Sequence, residues 1–88
     1  MKNTREEVFD CLSRERDYQE NKWPDNPLSP SDGLRVIREL IAKSDRDWYS
    51  TPDKIVDGQK INEVDLHALR KIAATAVHCL ERWGVVER

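Results

Sequence analysis

Val8, Phe9 and Leu12 begin an apolar stripe at helical spacing, and the same face then presents Arg16, Gln19 and Trp23, with Tyr18 and Lys22 beside them. A core-facing seam that turns polar just ahead of a tryptophan has the parts needed to hold a nucleotide. Aromatic faces stack on bases, amides read base edges, and arginine and lysine neutralise phosphates. Arg70 and Lys71 can add charge from a neighbouring helix, and Arg38, Lys43 or Arg46 from a middle one. The candidate ligand-binding set is therefore Arg16, Tyr18, Gln19, Lys22, Trp23, Arg70 and Lys71, with a nucleotide-type small molecule as partner. Polar groups in an apolar seam cost stability unless something pairs with them, and phosphates and base edges can do so. Each group also has a structural reading. Trp23 and Trp48 can plug helix ends, Trp83 can cap a bundle, Lys22, Arg38 and Arg46 can be outer-face charges, and Glu39 with Lys43 can form an i,i+4 ion pair.

Catalytic chemistry finds less support. Small helical bundles hold divalent ions between carboxylates three or four residues apart on facing helices. The middle helix offers Glu39, but Ala42 and Lys43 occupy the completing positions, and Arg70 and Lys71 stand where the last helix would need inward acids. Asp45, Asp47, Glu63 and Asp65 are better explained by caps and solvation, so no metal site is assigned. His67, Lys71 and His78 lie close to one helix face without a nucleophile and its base, which favours solvated or interface histidines. Gly33, Gly58 and Gly84 stand alone and form no phosphate-cradling loop. No catalytic residue and no cofactor is assigned. Cys11 and Cys79 are far apart, with no C-x-x-C partner, and read as reduced structural cysteines.

The elements that must position these groups are helices. Thr4 with Glu7 is a capping box that opens the first, from about residue 4 to 22, and Pro24 ends it. The stretch 24–30 holds three of the four prolines with Asp25, Asn26 and Ser29, which predicts an ordered turn or short extended connection. Ser29-Pro30-Ser31-Asp32 reads as cap, first-turn proline and acid, and Leu34, Ile37, Leu40, Ile41, Ser44 and Trp48 carry the second helix to about Trp48. The connection "STPDKIVDGQKIN" has one Asp-Gly turn, is too poor in apolar residues for a core element, and is long enough for a mobile flap. Asn62 and Asp65 form a cap pair, and Leu66, Leu69, Ile72, Ala73, Ala76, Val77 and Leu80 give a third helix closed by Gly84. Ala73, Ala74 and Ala76 beside Cys79 leave a small-residue flank for close helix approach. No strand is required, although "VVER" can pack as an extended tail.

Residues 1–88 form one domain near the lower limit for a self-sufficient core, since about 60–65% of the unfolded surface is buried at this size. The expected fold is all-α, with three main helices in a small bundle completed by homo-oligomerisation. Apolar residues at 38% and charged residues at 36% suit that architecture. A net charge of −2 argues against a nucleic-acid polymer as partner. No apolar run approaches 18 residues and no signal-peptide pattern stands out, so the expectation is a cytoplasmic chain without a membrane partner.

The phrases "ERDYQENKWPD", "LRVIRELIAKSDRDWYS" and "LHALRKIAATAVHCLERWGVVER" resemble the small phage-encoded relatives of MazG-type all-α nucleoside triphosphate pyrophosphohydrolases. The likeness spans most of the chain, apart from the first dozen residues and the 50–62 connection. It implies a MazG-like fold, an obligate helical oligomer, and a site between helices where clustered glutamates and an aspartate bind magnesium around a triphosphate. In this sequence only Glu39 keeps a ligand position, and Arg70 and Lys71 replace the acids of the last helix. A pocket that grips phosphates without the metal that polarises them binds without turnover. The resulting expectation is a non-catalytic phage protein of the host cytosol. It would sequester a nucleotide-derived immune second messenger, a cyclic oligonucleotide or an ADP-ribose derivative, and so inhibit anti-phage signalling. One alternative is a divergent (d)NTP pyrophosphohydrolase with carboxylates placed elsewhere. Another is a helical protein-interaction module whose aromatics form an interface.

Overall fold

A computed structural model describes residues 3–23 and 28–87. Three helices, α1 (Arg5–Lys22), α2 (Pro30–Trp48) and α3 (Glu63–Trp83), account for most of it. A hairpin of β1 (Asp53–Val56) and β2 (Gln59–Asn62) joins α2 to α3. The helix starts follow local chemistry. The Thr4 hydroxyl accepts from Glu7 N while the Glu7 carboxylate accepts from Thr4 N, completing the capping box. Ser29 accepts from Asp32 N ahead of Pro30 at the first turn. Gly84, at φ 95°, ends α3 in a conformation that costs glycine little. Most of the 24–30 connection expected to form a turn, namely residues 24–27, lies outside the described residues.

The hairpin corrects the expectation of a strandless flap. Asp57 (φ 52°) and Gly58 (φ 78°) make a two-residue turn with both central residues at positive φ, the geometry that matches strand twist. Antiparallel pairing runs from Val56↔Gln59 to Asp53↔Asn62. Asn62 anchors it: only 4% exposed, its amide donates towards Trp48 O, Thr51 O and Asp53 Oδ1, and its own oxygen caps α3 at Val64 N. Asp65, expected to pair with Asn62, instead accepts from Ser44 Oγ at 3.2 Å and ties α3 to α2. The C-terminal residues 84–87 form no strand.

The third helix is the spine. The other two helices each pack along it and barely touch one another. Its small-residue flank serves the α2 side: Ala74 is fully buried, and Gly33 sits so close to Cys79 that a Cβ there would overlap the sulfur. Both cysteines are free and half-buried. Among the described residues Ala74 is the only fully buried apolar one, while Phe9 and Leu69 are each 60% exposed and Val8, Leu34, Ile41, Leu66 and Leu80 are also exposed. Trp23 and Trp48, whose structural reading is as helix-end plugs, are 51% and 43% exposed, and Trp83, read as a bundle cap, is 55% exposed. Trp83 does reach across the bundle, donating from Nε1 to Leu28 O at 2.6 Å. No described helix is long and apolar enough to cross a membrane.

The single chain is correspondingly open. Its radius of gyration is 14.6 Å, where a compact domain of this length has about 12 Å. Its accessible surface is 7355 Å², about 2,000 Å² above the surface expected for a compact monomer of its mass.

Candidate functional site

The last two turns of α1 bring Glu15, Tyr18, Gln19, Lys22 and Trp23 to one side at helical spacing. One turn of α3 contributes Arg70, Lys71 and Thr75, and α2 contributes Val36 and Leu40. These residues line a cleft of about 510 Å³ where the three helices converge. A smaller hollow of about 210 Å³ shares Gln19, Trp23, Val36 and Thr75 with it and adds Arg16, Leu28 and His78. The cleft thus gathers six of the seven ligand-binding residues expected from sequence, and the adjoining hollow holds the seventh, Arg16.

Arg16 plays a different part from the other six. It is 6% exposed, and its partners are protein groups. Nε and Nη2 donate to the two oxygens of Glu81 at 3.2 and 2.9 Å, Nη2 also donates to Glu20 at 2.6 Å, and Nη1 donates to Gln19 Oε1 at 3.0 Å. Four of the five guanidinium hydrogens are thereby used. The hydrogen bond to Glu81 raises the Arg16 pKa above its ordinary value, and the one from Arg16 lowers that of Glu20. The polar break in the α1 seam is satisfied here by α3 and by α1 itself. Gln19 gives its carbonyl to Arg16 and keeps its amino group for another acceptor.

The aromatic wall is built from Tyr18 and Trp23, edge-to-face at 6.5 Å between ring centroids. Lys22 lies against both, 5.4 Å from the Tyr18 ring centre and 4.8 Å from that of Trp23, and its ammonium donates to Tyr18 Oη at 3.0 Å. Opposite them, Arg70 Nε donates to Glu15 Oε1 at 3.0 Å. Lys71 has no ion pair within the described residues. Lys22, Arg70 and Lys71 therefore face a single carboxylate, Glu15, so the cleft is locally cationic in a chain of net charge −2. Such a cleft suits an anion with a flat apolar part.

Sequence reasoning missed Glu15, Leu28, Val36, Leu40, Thr75 and His78. Glu15 could have been found, since it stands three and four residues before Tyr18 and Gln19 and so shares their face. The α2 residues could not, because spacing along one helix does not say which side of another it meets. His78 lies 3.5 Å from Glu20, at the edge of the Arg16 network. The expected Glu39–Lys43 ion pair is not formed among the described residues, and both side chains are exposed. No group of three or more His, Cys, Asp or Glu among the described residues is placed to hold a metal ion. No protein-family model, curated protein or solved structure matches the chain.

Proposed function

We propose that this chain binds a phosphorylated nucleotide without turning it over, and that it acts by sequestering a nucleotide-derived immune second messenger, a cyclic oligonucleotide or an ADP-ribose derivative. The observation that carries the reading is the cleft itself. Residues chosen from sequence for stacking, base-edge contact and phosphate neutralisation line one volume between the helices, with three cations against one acid. Lack of turnover follows from the donor set: Glu39, the one acid in a metal-ligand position by resemblance, is exposed on α2, and the acids of α1 and α3 near the cleft are held by Arg16 and Arg70. A scaffold related to the MazG-type pyrophosphohydrolases, working in a phage-infected cytosol, is part of the same proposal.

The working form is a homo-oligomer. The excess of about 2,000 Å² of surface matches what an obligate helical interface removes from water. Exposed apolar residues beside the α1–α3 junction include Val8, Phe9, Leu66 and Leu69. Light scattering at low micromolar concentration should give more than one chain, and Leu69→Glu should dissociate the assembly. A wild-type monomer at that concentration overturns the oligomer.

Calorimetry with cyclic dinucleotides, cyclic trinucleotides, ADP-ribose derivatives and ordinary nucleotides tests the ligand. At least one class should bind. Trp23→Ala should weaken it by about 1–3 kcal/mol through lost stacking. If every member fails to bind, or if a folded Trp23→Ala, Lys22→Ala double variant binds undiminished, the reading is wrong. Steady release of nucleoside monophosphate and pyrophosphate from (d)NTPs, abolished by Glu39→Ala, would favour the hydrolase instead.

A further inference from the structure

Lys71 borders more than the cleft. A second bay of about 220 Å³ opens between α2 and α3, lined by Leu40, Lys43, Ser44, Asp47, Val64, His67, Ala68 and Lys71. It shares Leu40 and Lys71 with the first bay, so the two adjoin with Lys71 on their common border. The walls of the second bay differ from those of the first. It has no aromatic ring apart from His67, and its cations are Lys43 and Lys71, neither of which has an ion pair within the described residues. Asp47 is the one carboxylate in the lining, and the neighbouring Asp65 takes the Ser44 hydroxyl.

His67 adds a donor. Its Nδ1 lies 3.2 Å from Arg70 Nη1, and a guanidinium can only donate. In the tautomer that accepts from Arg70 at Nδ1, the ring proton is on Nε2. That N–H is one more group for an oxygen acceptor, on a residue that lines the bay. Taking the two bays together, Lys22, Arg70, Lys71 and Lys43 face Glu15 and Asp47. A single phosphate held in the first bay does not meet Lys43 or His67, which line only the second.

Resting on the nucleotide reading of the first bay, we infer that the ligand carries two separate phosphoryl groups, one in each bay. Lys43, His67 and Lys71 form the second phosphate subsite. The ligand class is then a dinucleotide or a nucleoside bisphosphate rather than a mononucleotide. The apolar and aromatic wall of the first bay takes a base, and the small, ring-poor second bay takes a phosphate with little else attached.

The test compares adenosine and guanosine 5′-monophosphates with the corresponding 3′,5′-bisphosphates and the linear dinucleotides pApA and pGpG, followed by calorimetry and by backbone amide shifts in NMR spectra. For at least one base the two-phosphate ligand should bind about tenfold or more tightly than the monophosphate, the effect of one added charge-assisted contact. In Lys43→Ala that ratio should fall towards unity. In Lys22→Ala both affinities should fall while the ratio is kept. Equal binding of mono- and bisphosphates, or a ratio unchanged in folded Lys43→Ala and His67→Ala variants, overturns the second subsite and leaves the first-bay reading standing. Failure of all these ligands to bind overturns the second subsite, and the first-bay reading then falls only if the cyclic nucleotides and ADP-ribose derivatives also fail to bind.

Discussion

Replacing Arg16 by lysine keeps the positive charge and most of the aliphatic stem but removes the planar fork. In the folded chain that fork makes four hydrogen bonds, to both oxygens of Glu81, to Glu20 and to Gln19. An ammonium at the same place can keep one ionic contact, so the paired contact with Glu81 and the Gln19 bond are lost. A hydrogen bond to a charged group is worth about 1.5–3 kcal/mol where both partners are dry. Here the guanidinium is buried, but Glu20 and Glu81 are 55% and 54% exposed, so water takes up much of what they lose. The net loss is therefore about 2 kcal/mol. For a chain of this size that lowers Tm by about 8–16 °C. Urea unfolding followed by far-UV circular dichroism is the assay, run at one fixed protein concentration because assembly makes the midpoint concentration-dependent. An Arg16→Lys, Glu81→Gln double variant should lose clearly less than the sum of the two single losses, since both remove the same contact. A loss below about 0.5 kcal/mol, the range of ordinary surface changes, would mean that the network does not hold α1 to α3, and the explanation of the polar seam would fail with it.

Asn62→Ala should lower stability by about 2–3 kcal/mol, from the lost helix cap and the two backbone carbonyls left without their donor, and amide exchange should rise first across residues 53–62. Gly33→Ala should destabilise by about 1–2 kcal/mol, because the overlap with Cys79 outweighs the gain in helix propensity; a Gly33→Ala, Cys79→Ala double variant should recover part of that loss in the same urea assay. On acidification, stability should stay level down to about pH 5 and then fall below the ordinary glutamate value of 4.5, because hydrogen bonds from Arg16 to Glu20 and from Lys54 to Glu63 hold those carboxyls below it. A group depressed in this way stabilises the fold above its unfolded pKa and loses that effect as pH drops through its folded one. A midpoint that rises on acidification would contradict this sign.

What the sequence made legible was local. The Thr4–Glu7 box, the Ser29-Pro30 start and Gly84 are short-range signals, because the cap and the turn it serves lie within four residues of each other. The hairpin escaped because Ile55, Val56 and Ile61 are too few to show an alternating pattern. Its anchor, Asn62, works by reaching backbone carbonyls that no pattern in the sequence marks. The candidate cleft was legible on α1 and α3, where unusual residue types sit at helical spacing. Its α2 wall, Val36 and Leu40, looks in sequence like any apolar stripe. The purpose of Arg16 was hidden for the same reason: its main partner, Glu81, is 65 residues away.

Glu15 and Arg16 are neighbours on α1, yet they reach to Arg70 and Glu81 on α3. Those two targets are 11 residues apart in sequence, a rise of about 16 Å along the spine. Two adjacent side chains of opposite sign thus reach to different levels of another helix, Glu15 to its middle and Arg16 to its C-terminal end. An aliphatic seam tolerates a slide of one helical turn, since another aliphatic group arrives to fill the gap. Here a slide in either direction shortens one tether only by overstretching the other. The pair acts as a vernier: it fixes the axial register of α1 on α3 with charge where greasy packing is sparse, and it sets the depth at which Tyr18, Lys22 and Trp23 stand relative to Lys71.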